Sequence, residues 1–412
     1  MELSNIIASL SRSRIGAALV ILQIAFGMAI VSNAVFVIHL RNQEIRRPTG
    51  LDEANLFTIT DHLISGGQIQ GEANLALLQR DLDVLRSTPD VVDAYVTSSL
   101  PFLGRYESGP VSLHSIGTTL DRLAPQAASF YVDDHALHTL GLRLVEGRWF
   151  YPKEVHKTFG RPERFPVIIV TQALADRLFP KGNAVGSSVY ITNGATLTGT
   201  STVIGIVATL DVPDAVEAGS AGPNTYLVPW ARDGSSIYVI RARPGRMAAA
   251  MRETQARLRA SNPLRVIVSV APFSDSRWEA FRLPRSTVMI LVAVCTLLLA
   301  ITAFGIVGLT SYWISQRRHH IGMRRALGAR RGDILIYYQT ENLLLASLGL
   351  VAGSALAMGV NLWLMRTFAV QQLDWRYVVV GAVCVLALGQ ISSFLPAYRA
   401  ASISPADAAR AR

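Results

Sequence analysis

Four stretches of the chain carry no charged residue: Ile15 to Ile38, Ser286 to Ser315, Leu343 to Met365 and Tyr377 to Ala397. Each matches or exceeds the ~20 apolar residues a helix needs to cross the hydrocarbon layer. The pattern predicts four transmembrane helices, at 15–38, 286–314, 334–365 and 376–396. Residues 41–285, between the first two, have a different pattern. Leu56 to Thr60 and Val91 to Thr97 read as strands. They flank an amphipathic helix over Asn74 to Ser87, with Leu75, Leu78, Leu82 and Leu85 on one side and Pro89 as its stop. A second unit of the same kind follows, with Ile237 to Ala242, a helix from Arg246 to Ala260 ended by Pro263, and Val266 to Val270. Two β-α-β units can share one sheet with helices on one face. Between them, about 111–211 reads as an inserted lobe of short strands (Val167 to Thr171, Ser188 to Ile191, Val203 to Val207) and small helices (Asp133 to Leu140, Gln172 to Leu178). The predicted fold is an α-helical membrane protein with a large two-lobed α+β extracytoplasmic domain between helices 1 and 2.

Charge supplies the orientation. Residues 315–333 read SQRRHHIGMRRALGARRGD, with six arginines against Asp333 alone. Short loops rich in Arg stay on the cytoplasmic side. An even number of spans then puts both termini there too, as Arg12, Arg14, Arg399, Arg410 and Arg412 suggest. Residues 1–14, with Leu3, Ile6, Ile7 and Leu10 at helical spacing, read as an amphipathic lead on the inner surface, and 397–412 as a cytoplasmic tail. Arg41, Arg46, Arg47, Arg282 and Arg285 oppose this, but they flank a long segment, and long segments translocate largely regardless of charge. The first span is about twice the length of a signal-peptide core, so a retained anchor is expected. Trp278 and Phe281, three apart, fit either a helix extending the second span outward or an interfacial aromatic belt. A multi-pass membrane location is expected, with the lipid bilayer a partner. The net charge of +10 comes from juxtamembrane arginines, with no basic patch interleaved with aromatics to suggest nucleic acid. Cys295 and Cys384 both fall in predicted spans, so the outer domain is expected to have no disulfide.

Within 315–333 a helix is expected from about Gln316 to Leu327, with Gly328 in the left-handed position after it and Asp333 capping the next helix. A rigid helix between two spans could receive a push from a partner. A basic loop gripping anionic lipid is the other reading. Catalytic signals are sparse. The sequence has no G-x-x-x-x-G-K-[ST] phosphate loop; its lysines are Lys153, Lys157 and Lys181. Leu63 to Gln68 resembles an ATPase signature but has no Walker motif to accompany it. His135 and His138 could share a helix face, but a zinc site needs three or four ligands and no third is visible, so no metal is expected. His319 and His320 read as contact residues among arginines. Glu341 is the intramembrane ionisable group, and pairing with an arginine of the basic loop is favoured over a proton relay.

The segment Gln316, Arg317, Arg318, then Ile321, Gly322, then Arg324, Arg325, Ala326, Leu327, Gly328, Ala329 resembles the QRRxEIGxxRALGA motif of MacB/FtsX-like permeases of ABC-type systems. Gln339 and Glu341 match the family's Q-x-E. Pro396 to Ala401 and Pro405 to Arg410 are similar to its closing PAxRAA…PxxALR. Gly141-Leu142, Glu146 to Phe150, and Ala173 to Pro180 with Gly186 resemble the MacB-like periplasmic core. His320 stands where the family has Glu, and Ala409 where it has Leu. The resemblance implies a permease subunit without a fused ATPase domain, with residues 316–329 as the ATPase-coupling helix. No cofactor is then expected on this chain, ATP being bound by a separate ABC ATPase subunit. A second permease chain, identical or homologous, and a periplasmic adaptor with an outer-membrane channel are further implied partners. The expected activity is export of peptides, antibiotics or similar compounds. A lipoprotein-releasing permease and a cell-division regulator are alternatives within the fold. A membrane-anchored ligand receptor is the alternative of another class, followed by a membrane-anchored enzyme.

Overall fold

A computed structural model describes residues 14–63, 72–103, 106–114, 124–158, 162, 164–193, 196–212, 223–232, 237–317, 321–323, 326–328, 330–368 and 372–401. The amphipathic lead, the signature-like stretch over 64–68 and the segment from Pro405 to Arg410 lie outside these residues. The chain forms two compact units, Met1–Gln43 with Pro284–Arg412, and Glu44–Leu283.

Among the described residues, four helices are long and apolar enough to cross a membrane. They are α1 (Arg14–Arg46), α7 (Arg282–Gln316), α8 (Arg331–Phe368) and α9 (Trp375–Ala401). Each is longer than its charge-free run, because the polar residues at either end still continue the helix. Within the first unit, α1 is the most enclosed of the four; half of its apolar window is buried. Small residues let its neighbours come close. A Cβ on Gly349 would stand 2.6 Å from Ile24, one on Gly353 2.7 Å from Met28, and one on Gly381 2.2 Å from Ser32. The four-residue spacing of Gly349 and Gly353 sets a flat stripe of α8 against α1, the small-xxx-small contact that packs helices in lipid. Polar side chains in the spans find partners on neighbouring helices. Gln23 Nε2 donates to the Ile301 carbonyl at 3.1 Å, and Asn33 Nδ2 to that of Ala357 at 3.3 Å.

The second unit contains the two β-α-β units. Strands β1 (Leu56–Leu63), β2 (Val91–Thr97), β11 (Ile237–Ala242) and β12 (Arg265–Pro272) form an antiparallel sheet in the order β12-β1-β11-β2. This is the order of a split β-α-β fold. Helices α2 (Glu72–Arg86) and α5 (Met247–Ser261) cover one face, where Phe57, Ile59, Tyr238 and Ile240 meet Leu78, Leu82, Leu85 and Leu258. Strand alternation sends Leu56, Tyr95 and Val239 to the other face, into a core shared with Phe130, Ile169 and Leu227 of the second lobe. That lobe is a mixed eight-stranded sheet: β3 (Glu107–Ser112), β4 (Gln126–Val132), β5 (Leu144–Gly147), β6 (His156–Thr158), β7 (Val167–Thr171), β8 (Ser188–Asn193), β9 (Thr196–Val207) and β10 (Thr225–Arg232). It also carries α3 (Ala136–Leu140) and α4 (Gln172–Leu178). The lobe is wider than 111–211, because β10 pairs with both β4 and β7 and closes the sheet. Trp278 and Phe281 do not lie on one helix extending the second span outward. Helix α6 (Phe273–Ala280) stops one residue short of α7, and Phe281 between them is buried in the core while Trp278 stays exposed.

Two charge clusters sit in this unit, the first buried and the second partly so. Arg265 bridges Asp61 and Asp81, and Tyr238 Oη donates to the same Asp81 at 2.7 Å. Burial pushes the Asp61 carboxyl up, and the neighbouring Arg265 pulls against it. The second cluster links Arg86 to Asp93 and Asp133, with His135 Nδ1 2.9 Å from Asp93. Asp133 accepts the His135 backbone N–H, and burial raises its pKa to about 7 despite Arg86.

Two outcomes are expected for the full chain in detergent. Gly353→Leu puts a side chain into Met28 and should cost about 1–3 kcal/mol, read as a lower Tm. Asp133 holds its proton more tightly folded than unfolded, so its contribution to stability falls as pH rises from about 4 to about 7 and then levels. Asp133→Asn should flatten that slope; parallel Tm curves for the two proteins across this range would contradict it.

Candidate functional site

The arginine-rich segment follows directly from the end of α7. Arg317 N–H donates back to the carbonyls of Trp313 at 3.1 Å and Ile314 at 3.2 Å, which closes the helix, and Gln316 Nε2 donates to Tyr312 Oη at 2.8 Å. The expected helix from Gln316 to Leu327 is therefore not continuous with its start. Gln316 belongs to α7, Arg317 lies in a turn, and described helical residues resume at 321–323. The turn has a charge-based consequence. It brings Arg317 Nη1 to 3.1 and 3.2 Å from the two carboxylate oxygens of Glu341, on α8. Glu341 is only 2% exposed. A carboxylate that deep is costly unless a cation meets it. Arg317, less buried, leaves part of its guanidinium within reach of the surface.

Beyond the turn, Ile321 N–H bonds to the Arg317 carbonyl at 3.0 Å, and the Ile321 side chain is buried. Its seat is made by Ile314, Ile334, Tyr338 and the alanines Ala397, Ala400 and Ala401. Small residues at these positions of α9 leave the space that Ile321 fills. Burying an isoleucine side chain stabilises by about 1.5–3 kcal/mol, enough to hold a short segment in one place. Gly322 is buried as well, whereas Ala326, Leu327 and Gly328 are exposed. Leu327 is 88% exposed and its neighbour one turn back, Met323, 49%. Gly328 takes φ +99°, a backbone region that costs glycine little, and so ends the segment. Asp333 serves the next helix differently from an N-cap residue. It lies in the first turn of α8 and its Oδ2 accepts the Arg330 N–H at 2.9 Å, the reach-back half of a capping box. Arg318, Arg324, Arg325 and Ala329, with His319 and His320, lie outside the described residues.

Gln339 of the Q-x-E pair is part of a longer polar seam between α8 and α9, while Glu341 is held by Arg317. Asn342 Nδ2 donates to the Gly389 carbonyl at 3.0 Å and to Ser393 Oγ at 3.1 Å; Ser393 in turn donates to Gln339 Oε1 at 3.2 Å. Asn342 and Ser393 were not singled out from sequence. An Asn beside a Glu and a Ser in an apolar helix were the available signals, and neither reveals its partner. His135, considered for a metal, instead pairs with Asp93, while His138 is exposed. Among the described residues no group of three His, Cys, Asp or Glu side chains could hold a metal ion.

Two family models match the chain. The MacB-like periplasmic core domain matches residues 17–260, and the FtsX-like permease C-terminal domain matches residues 292–405. The macrolide export ATP-binding/permease protein MacB of Chromobacterium violaceum is 23% identical over 423 residues, covering 97% of this chain and 59% of that protein. The chain thus spans less than two thirds of that relative's length. The uncharacterized ABC transporter permease YvrN of Bacillus subtilis is 25% identical over 299 residues, covering 68% of this chain and 69% of that one. Among solved structures, the periplasmic region of MacB from Actinobacillus actinomycetemcomitans aligns with a TM-score of 0.34 and 14% identity, over 57% of this chain and 95% of that one.

The unequal burial of the Arg317–Glu341 pair gives a directional prediction. Arg317→Ala strands a buried carboxylate and should cost about 3–5 kcal/mol. Glu341→Gln leaves an arginine that can turn to water and should cost about 1 kcal/mol. Unfolding of each variant in detergent measures the difference, and equal costs would contradict it.

Proposed function

We propose, for a chain that belongs to the MacB/FtsX-like family of ABC transporter permeases, that it is the permease subunit of an export or mechanotransmission complex, driven by ATP hydrolysis in a separate ATPase subunit. The observation that carries this reading is the combination found after α7. Leu327 and Met323 are held out into solvent, while Ile321 and the Arg317–Glu341 pair fix the same segment from behind. An exposed leucine beside arginines suits an apolar pocket with an acidic rim on a partner, with the leucine as an aliphatic anchor inside a polar rim. The fixed rear of the segment suits a push, since displacement at Ile321 must be passed to α8 and α9.

In this reading residues 316–329 face the cytoplasm, both termini lie on that side of the bacterial inner membrane, and the unit Glu44–Leu283 is periplasmic. The arginine bias of 315–333 supports that orientation. The complex holds two permease chains and uses no cofactor on this one. Its cargo is of the peptide or antibiotic class, a reading supported by similarity to a relative named as a macrolide exporter. A periplasmic adaptor and an outer-membrane channel would complete the path.

Co-purification tests the docking role. Leu327→Glu combined with Arg324→Glu should reduce recovery of the ATPase subunit at least about tenfold, as expected for loss of a central anchor, with membrane insertion unchanged. Wild-type recovery of the ATPase by this variant would refute the coupling assignment.

A further inference from the structure

The large unit receives the chain from the end of α1, at Arg46, and returns it to the start of α7, at Arg282. One side chain holds both stretches. Arg277, on α6, places Nη1 2.5 Å from Glu53 Oε1, and its Nη2 donates to the carbonyls of Ile45 at 2.9 Å and Arg47 at 3.0 Å. These carbonyls lie at the C-terminal end of α1, where the helix has no further N–H groups to offer and a cation is favoured. A guanidinium can meet a carboxylate and two carbonyls at once because its donors fan out in a plane; an ammonium on a single point cannot. Thr49 Oγ1 holds Glu53 Oε1 at 2.5 Å, so the carboxylate is oriented before Arg277 reaches it.

A second observation falls at the same place. The Arg277 guanidinium lies 5.9 Å from the ring of Phe102 and 5.8 Å from that of Phe281. Phe102 has φ +69°, a conformation uncommon for a bulky aromatic residue. Its ring packs edge-on to Phe273 at 5.7 Å and against Phe281 at 5.6 Å. Phe273 opens α6, and Phe281 is the buried residue that separates α6 from α7. A strained backbone persists only where its surroundings over-determine it, and such sites concentrate where a structure must be held in one arrangement.

We propose that Arg277 is a positioning residue for mechanical coupling. It clasps the end of α1 to the segment leading into α7, so that the two connections through which movement reaches the large unit act as one body. The proposal rests on the coupling function given above. Its test uses the full chain co-purified with its ATPase subunit in lipid nanodiscs, with amide hydrogen exchange followed with and without ATP. Wild type should show an ATP-dependent change in exchange over residues 237–281. In Arg277→Gln the ATPase should stay bound and hydrolyse ATP within about twofold of wild type, while that ATP-dependent change shrinks at least about fivefold. Arg277→Lys, which keeps the charge beside Glu53 but not the fork, should shrink it as well, and it provides the readout should the glutamine variant not fold. A full wild-type response in the variants would overturn the clasp and leave the coupling function standing. Absence of any ATP-dependent change in wild type would overturn the coupling function and the clasp with it.

Discussion

A carboxyl group buried among helices needs a partner, and Glu341 finds it in Arg317. Much of the arrangement after α7 follows from that constraint. The arginine that meets it stands at the first residue beyond α7, so the helix must stop there and the backbone must turn. The turn delivers Ile321 to its alanine-lined seat and leaves Leu327 pointing away from it. Gln339, Asn342 and Ser393 extend the same logic toward α9, each polar group answered by another helix rather than by water. Where no solvent competes, an unmet polar group costs more than a met one gains, and the seam thereby fixes how α8 and α9 can move together.

The large unit solves a related problem with other means. Arg265 has no exposed side-chain surface and is matched by two aspartates from separate elements, one on β1 and one on α2. Removing one partner from such a triad leaves uncompensated charge in the core, so the geometry of β1, β12 and α2 is constrained jointly. Arg277 is partly exposed, and its contacts are to a carboxylate, two carbonyls and two rings. The first arrangement holds a layer of helices on a sheet, and the second holds the places where the chain enters and leaves.

The sequence reveals its large-scale organisation because the physics behind it is local. Four charge-free runs are spans by length alone, and Val91–Thr97, Val167–Thr171 and Ile237–Ala242 form strands over the very residues where period and composition indicate them. Contacts between distant residues are not encoded that way. Asp61 looks like one polar residue in a strand, and nothing nearby announces Arg265, 204 positions later. Gly349, Gly353 and Gly381 look like ordinary members of apolar helices until α1 is seen against them. Phe281 sits three residues from Trp278, a spacing that suggests a shared helix face. The helix breaks at Phe281 instead, because its ring is worth more in the core beside Phe102 and Phe273. In the candidate site, the arginines and the terminal glycine were legible as a basic segment with a stop. Glu341 pairing with an arginine of that segment was legible too, but not which arginine, nor the turn that brings Arg317 to it.

The two readings of a basic inner segment, a partner-docking element and a lipid-gripping loop, place different physical demands on it. Attraction to anionic headgroups depends on charge within a Debye length of the surface and is indifferent to backbone geometry. A loop serving only that end gains nothing from a buried isoleucine, a left-handed glycine stop, or an aspartate reaching back to cap the following helix. All three are present between Ile321 and Asp333. Each removes conformational freedom from a segment that lipid binding would leave free, at a cost on the order of 1 kcal/mol per residue fixed. Fixing a surface in advance is what raises affinity for a structured partner, because less ordering is left to be done on binding. These described features fit the docking role proposed above better than a lipid grip.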